Sequence, residues 1–162
     1  MSGAERERPV VLMLRALGLG DFLAGVPAYR ALRRAFPDHE TVLAAPAVLA
    51  PLVTLVGAID TLLPVGELEP VPWRGGPPEV AVDLHGRGPA SHDVLAAMSP
   101  RRLVVFGGDT GGGYSGPLWR PDEHERSRWC RLLAESGVPA DAGDLTLTPP
   151  ASPAPCGLAG AT

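Results

Sequence analysis

Two short stretches of this chain carry residues whose types and spacing can do chemistry. The first is Gly18-Leu19-Gly20-Asp21, which lies between a continuous apolar run at 10–14 and a periodic segment at 22–36. A carboxylate at such a junction has two roles open to it. It can cap a helix by accepting a backbone N–H two or three residues on, for about 1 kcal/mol, or it can take a proton from a bound hydroxyl as a general base. The roles compete only in part, since a carboxylate offers about four lone-pair sites. The second stretch is Asp83-Leu84-His85-Gly86-Arg87, at the end of another apolar run. There His85 and Arg87 can contact a ligand or its phosphate, or else Asp83 merely shapes a turn and His85 lies at the surface.

Other patterns fail on their chemistry. Gly18-x-Gly20 invites a dinucleotide fingerprint, but the third glycine is replaced by Leu23 and the second apolar run ends Leu43-Ala44-Ala45-Pro46 with no acid for a ribose. Asp21 would also set a negative charge where the pyrophosphate should sit. Gly113-Tyr114-Ser115-Gly116-Pro117 resembles a nucleophile elbow, but position 117 is not glycine and the residues before it read as loop. Cys130, Cys156, His39 and His92 show no metal-ligand spacing.

The elements that must position these residues alternate along the chain. Apolar runs of strand length occur at 10–14, 41–44, 61–65, 80–83 and 103–106, with 145–147 as a last short strand. Between them, Phe22, Val26, Tyr29, Leu32 and Phe36 form one helical stripe, with Arg30, Arg33 and Arg34 as a solvated face and a bend expected at Pro27. Further helices are expected at 47–56, 90–98 and 122–136. This order predicts a Rossmann-like α/β fold, a doubly wound parallel sheet. Ligands of such sheets bind outside the carboxyl ends of the strands, so the loops 16–21, 84–89 and 107–117 are the ones to inspect. The glycine-rich stretch 107–116 reads as a mobile loop first and a ligand-wrapping loop second.

Composition narrows the function classes. The 162 residues are 45 % hydrophobic, with a formal net charge of −4; one domain with a real core is expected, and a general nucleic-acid binder is not. All 14 basic residues are arginine, and Lys, Asn and Gln are absent, which reads as a GC-rich coding bias. The N-terminus has no leader pattern and no stretch is apolar and long enough to span a bilayer, so a reduced cytoplasmic setting is expected. Residues 1–9 read as disordered, 10–148 as the folded domain, and the Pro- and Ala-rich 149–162 as a linker.

The run Val10-Val-Leu-Met-Leu-Arg-Ala-Leu-Gly-Leu-Gly-Asp-Phe-Leu-Ala-Gly-Val-Pro-Ala-Tyr-Arg-Ala-Leu-Arg-Arg-Ala-Phe-Pro37 resembles the opening of family 9 glycosyltransferases, the heptosyltransferase-like enzymes of bacterial surface-glycan assembly. The resemblance continues in Val82-Asp83-Leu84-His85-Gly86 with Ser91, and in His124, Glu125 and Trp129 ahead of the linker. It implies the N-terminal half of a GT-B fold, in which two Rossmann-like domains face one another across a cleft. The first would hold a glycan or glycolipid acceptor and the second a nucleotide sugar.

On that resemblance the chain ends in the interdomain linker, ahead of the donor domain. No cofactor or metal is implied; the nucleotide sugar is a substrate, and the protein has no transmembrane segment, though it can sit against the inner membrane face. Asp21 matches the family's proposed general base for an inverting, metal-independent transfer. Arg15 matches its basic residue after the first strand, there to contact an acidic acceptor group or to keep Asp21 ionised. Gly18, Gly20, His85 and Arg87 complete the acceptor side, and His124 and Trp129 serve stacking or hinge packing. At Leu17 and Gly18 the chain departs from the heptosyltransferases, which carry small hydroxylated residues there. The reading from another class is a non-catalytic Rossmann-like remnant or binding domain.

Overall fold

A computed structural model describes residues 7–152 of the chain. Five parallel strands, β1 (Val10–Leu14), β2 (Glu40–Ala45), β3 (Thr61–Pro64), β4 (Val80–Asp83) and β5 (Arg102–Val104), form one sheet in the order β3-β2-β1-β4-β5. The helices are α1 (Leu19–Ala35), α2 (Ala50–Val56), α3 (Ala90–Ala96) and α4 (Glu125–Glu135). This is the expected doubly wound α/β architecture. Strands β1, β2 and β4 are buried on both faces, which is why they read as unbroken apolar runs rather than alternating ones.

The pleat sends alternate residues to two cores. Val11 and Met13 of β1 join Phe22, Val26, Tyr29 and Leu32 of α1, Val53 and Val56 of α2, and Trp129, Leu132 and Leu133 of α4 on one face. Leu12 and Leu14 meet Leu95 of α3, with Val71 and Trp73 of the β3–β4 connection, on the other. The chain winds from β1 outward to β3, then returns across the second face to β4 on the opposite side of β1. The winding therefore reverses between β1 and β4, and their carboxyl ends open the crevice where such sheets bind ligands.

Several sequence expectations are corrected. No strand forms at 145–147: this segment is coil, Leu145 and Leu147 stay exposed, and the chain docks on α2 through Thr148 N–H to the Leu55 carbonyl (2.8 Å) rather than on a sheet edge. Helix α4 starts at Glu125 rather than 122, because His124 takes the N-cap position and its Nδ1 accepts from Arg126 N–H (3.3 Å). The 47–56 helix divides into a 3₁₀ turn at Ala47–Leu49 followed by α2. Pro27 lies buried in the interior of α1, since the helix starts at Leu19, ahead of the expected stripe from Phe22. The arginines of α1 are not a free solvated face: Arg30 and Arg34 grip Asp144 (2.7 and 2.5 Å), and Arg33 pairs with Asp60 (2.7 Å) and caps the carbonyls of Phe36, Pro37 and His39.

Residues 1–6 of the segment 1–9, and 153–162 of the segment 149–162, lie outside the described residues, and Cys156 with them. Among the described residues no helix is long and apolar enough to cross a membrane.

Candidate active site

Arg15 follows β1 at the reversal point, and its side chain is fully buried. Three of its five N–H groups donate to protein atoms. Nε donates to the Asp21 carbonyl and Nη1 to the Leu84 carbonyl, spanning the gap between the ends of β1 and β4. Nη2 donates to Glu125 Oε2 at 2.7 Å, and the guanidinium lies 5.0 Å from the centre of the Trp129 ring. A planar fork of five donors suits this three-way tie, and the ring face suits its delocalised charge. Arg15 thus forms the floor of the crevice.

Asp21 sits above that floor. Helix α1 starts at Leu19 with Gly18 as its N-cap, so Asp21 is a first-turn residue and not the cap. The capping role is corrected to a dipole interaction: the first turn of a helix favours an acid by about 0.3–1 kcal/mol. The Asp21 carboxylate is 46 % exposed, lies 3.7 Å from Arg15 Nη2, and accepts no hydrogen bond among the described residues. It is oriented by its helix and its ion pair while its oxygens remain open to a ligand. Gly18 has ordinary extended backbone, and a Cβ there would lie 3.9 Å from Asp21 Oδ2. At Gly20 a Cβ would meet nothing within 4 Å. Neither position needs glycine's backbone freedom, and the missing side chain of Gly18 leaves space beside the carboxylate.

The β4 end supplies the other wall. Asp83 is fully buried and does form the turn, its Oδ1 accepting from the N–H of His85 (2.7 Å) and Gly86 (3.3 Å). Its Oδ2 meets His92 Nδ1 at 2.6 Å, and His92 Nε2 lies 2.9 Å from the Phe106 carbonyl. A carbonyl only accepts, so His92 Nε2 is the donor to Phe106 and the ring's other nitrogen is the one that faces Asp83. Sequence reading missed this dyad; no spacing rule pairs residues 83 and 92, and only the burial of both sides by α3 and the 107–117 loop brings them together.

The surface alternative for His85 is corrected. Its side chain is 7 % exposed, its Nδ1 is buried without a partner, and Nε2 lies 3.9 Å from Glu67. Burial pushes its pKa below the ordinary histidine value; Asp83, Glu67 and Asp21 oppose this and Arg15 adds to it. At neutral pH His85 is thereby held as the neutral imidazole, with one ring nitrogen able to accept. Arg87 is exposed, and its side chain makes no ion pair or hydrogen bond among the described residues. The structure therefore brings Arg15, Gly18, Gly20, Asp21 and His85 to one crevice and leaves Arg87 on the loop that borders it.

Glu125 enters the sequence reading only as part of the resemblance and without a role, and the structure gives it one. It binds Arg15 through one oxygen and Arg128 Nη1 (3.1 Å) through the other, and also accepts from Trp129 Nε1 (3.2 Å). Burial opposes its charge, but the hydrogen bond and charge of Arg15, with Trp129 and Arg128, outweigh that and hold its carboxyl below the usual glutamate range. Trp129 is buried in the α4–sheet core beside Phe106 and Trp119 rather than offered for stacking on a ligand.

The glycine loop is a built structure. Gly107 N–H bonds the Pro117 carbonyl (2.9 Å), and a Cβ on Gly116 would collide with the Val105 carbonyl. Tyr114 packs edge-on against His92 with ring centres 5.3 Å apart. Among the described residues no group of three or more His, Cys, Asp and Glu side chains could hold a metal ion.

No protein-family model matches the chain, and no curated protein sequence matches it. Solved structures do. A glycosyl transferase of family 9 from Veillonella parvula superposes with a TM-score of 0.63 at 14 % identity, over 86 % of this chain and 43 % of its own. The E. coli heptosyltransferase WaaC, solved with ADP, superposes with a TM-score of 0.61 at 15 % identity, over 82 % of this chain and 49 % of its own. The same enzyme with ADP-2-deoxy-2-fluoro heptose gives a TM-score of 0.56 at 15 % identity, over 83 % and 52 %. At these identities the likeness is one of fold, and the chain spans about half the length of the structures it resembles.

Proposed function

We propose that this chain is the acceptor-side half of a glycosyltransferase of family 9 type, in which Asp21 is the general base. Its fold is shared with about half of each of two glycosyltransferases, one of them solved with a nucleotide and with a nucleotide-sugar analogue. The observation that carries the reading is the Asp21 carboxylate: half-exposed, without hydrogen bonds among the described residues, and held over a buried arginine at the β1/β4 crevice.

In the reaction we propose, an acceptor hydroxyl loses its proton to Asp21 as its oxygen attacks the anomeric carbon of a nucleotide sugar, and the bond to the nucleoside diphosphate breaks. Attack opposite the leaving group inverts the anomeric centre. A carboxylate base needs no metal for this step. A second α/β domain facing the crevice would hold the donor and meet the charge on the departing diphosphate, where electrostatic stabilisation is worth most. His85, as a neutral imidazole, would accept a hydrogen bond from a second hydroxyl of the acceptor, and Arg87 is the candidate for a phosphate or carboxylate farther out. Arg15 acts through Asp21 and Glu125 rather than on substrate.

The test is Asp21→Asn in the full-length protein, assayed for sugar transfer from nucleotide-sugar donors. Loss of a positioned base costs about 10²–10⁴-fold in turnover, while loss of the helix-terminus charge costs about 0.5 kcal/mol of stability. Retention of a tenth or more of the activity would overturn the assignment and favour a binding domain without turnover.

A further inference from the structure

Arg15 pairs with two carboxylates among the described residues, and the two are not equivalent. Glu125 Oε2 accepts a hydrogen bond from Nη2 at 2.7 Å, whereas Asp21 Oδ1 lies 3.7 Å from the same nitrogen, beyond hydrogen-bond reach. Glu125 is oriented by its own helix. Trp129 Nε1, one turn on, donates to the oxygen that Arg15 holds (3.2 Å), and Arg128 Nη1 donates to the other (3.1 Å). Arg128 Nη2 is committed elsewhere, to the carbonyls of Arg120, Pro121 and Glu123.

The unequal sharing matters because the proposed base changes charge. When Asp21 takes the acceptor's hydroxyl proton, its carboxylate becomes a neutral acid. Arg15 is fully buried, and an arginine keeps its charge through the whole working pH range. With Asp21 as its only partner, each proton transfer would leave a buried cation without a counter-charge, the costly way to break such a pair. The other groups around the crevice do not supply one. Burial keeps the Tyr29 phenol protonated, His85 is held neutral, and Glu67 faces His85 at 3.9 Å. Asp83 is spent on His92 and on the N–H groups of His85 and Gly86. Glu125 is different: with its carboxyl held below the usual glutamate range, it stays ionised at neutral pH whichever form Asp21 takes.

We propose that Glu125 is a positioning residue for this reaction: it is the standing counter-ion of Arg15, and it lets Asp21 accept a proton without stranding a buried charge. This deepens the proposed function and rests on it for the role of Asp21.

Asp21→Asn is a neutral isostere of the protonated base, so a double-mutant cycle on the urea stability of the 162-residue chain reads the effect directly. In the parent, Asp21→Asn should change the folding equilibrium constant by less than about fivefold. In a Glu125→Gln background the same substitution should cost at least about tenfold more, because Arg15 then has no carboxylate left. A packing or helix-terminus role for Glu125 gives equal costs in both backgrounds, and that additivity overturns the proposal. A second measurement needs no Glu125 variant. In Asp21→Asn the Glu125 side-chain carboxyl, followed by carbon NMR, should still titrate below the usual glutamate range; a return to that range overturns the proposal. In the proposed transfer reaction Glu125→Gln should lower kcat at least about tenfold with KM unchanged, since the missing charge is felt only as the proton moves. An unchanged kcat overturns it too. Loss of transfer in Asp21→Asn together with an additive cycle leaves the base in place and removes only the role of Glu125. Retained transfer in Asp21→Asn removes the base, while the cycle still reports the pairing.

Discussion

At the scale of single residues, Arg15 and Asp21 divide two jobs that are easily confused. Arg15 is the more heavily bonded of the two, yet its bonds are to Asp21, Leu84 and Glu125. Arg15→Met leaves two carbonyls and a carboxylate without their donor. Because Glu125 is 42 % exposed and can recover water, the cost is expected below that of breaking a fully buried pair, at about 2–3 kcal/mol. Arg15→Lys keeps the charge but not the fork and should recover less than half of that loss. Urea unfolding measures both, and variants within 0.5 kcal/mol of the parent would mean that Arg15 is not the crevice floor. The resemblance to family 9 glycosyltransferases drew attention to Arg15, and the local sequence to Asp21 for its place beside two glycines. It did not show that the arginine would be buried, because burial depends on Glu125 and Trp129, more than a hundred residues away.

At the scale of elements, the glycines separate by what surrounds them. Gly116→Ala drives a methyl into the Val105 carbonyl, a backbone atom that cannot rotate away, and overpacking of this kind costs about 1–3 kcal/mol. Gly20→Ala adds a methyl to open space inside a helix, where alanine is favoured by up to about 1 kcal/mol. Thermal or urea unfolding should therefore show the first variant destabilised and the second neutral or stabilised. If Gly20→Ala also slows the proposed transfer reaction, the space above Gly20 is used by substrate.

The segment after α4 offers an electrostatic test. Burial opposes the charge on Asp144, but hydrogen bonds from Arg34 and Arg30 outweigh it and hold the carboxyl below its ordinary 3.8. A carboxyl with a depressed folded value stabilises above its unfolded value and loses that contribution as pH falls through the folded one. The parent should lose part of its stability below about pH 4, and Asp144→Asn should flatten that acid limb while lowering stability at neutral pH. An unchanged acid limb would show that Asp144 does not fasten this segment to α1.

At the scale of the whole molecule, one α/β layer with a crevice on its edge can hold one substrate, and the proposed reaction has two. The chain spans 43–52 % of the glycosyltransferases it superposes on. If the proposed division of labour holds, these 162 residues alone should show no saturable binding of nucleotide sugars by calorimetry at millimolar ligand, whereas a protein that joins them to a donor-binding domain should bind its donor. Micromolar affinity of this chain alone would relocate the donor site to the β1/β4 crevice.

The parallel sheet was readable from the residues because strands buried on both faces must be apolar throughout, and the helical stripe Phe22–Val26–Tyr29–Leu32 was readable because one face of a helix must meet that sheet. Asp21 and His85 were readable because each follows a strand at the edge where such sheets bind ligands. These are properties of local spacing and of period. The burial of Arg15 by Glu125, the Asp83–His92 dyad and the closure of the glycine loop were not readable. Each is a contact between segments far apart in the chain, and no periodicity records which distant side chain will meet a given donor, or which apolar residue will be left uncovered. Only the packing of α3, α4 and the loops around the reversal of the sheet decided them.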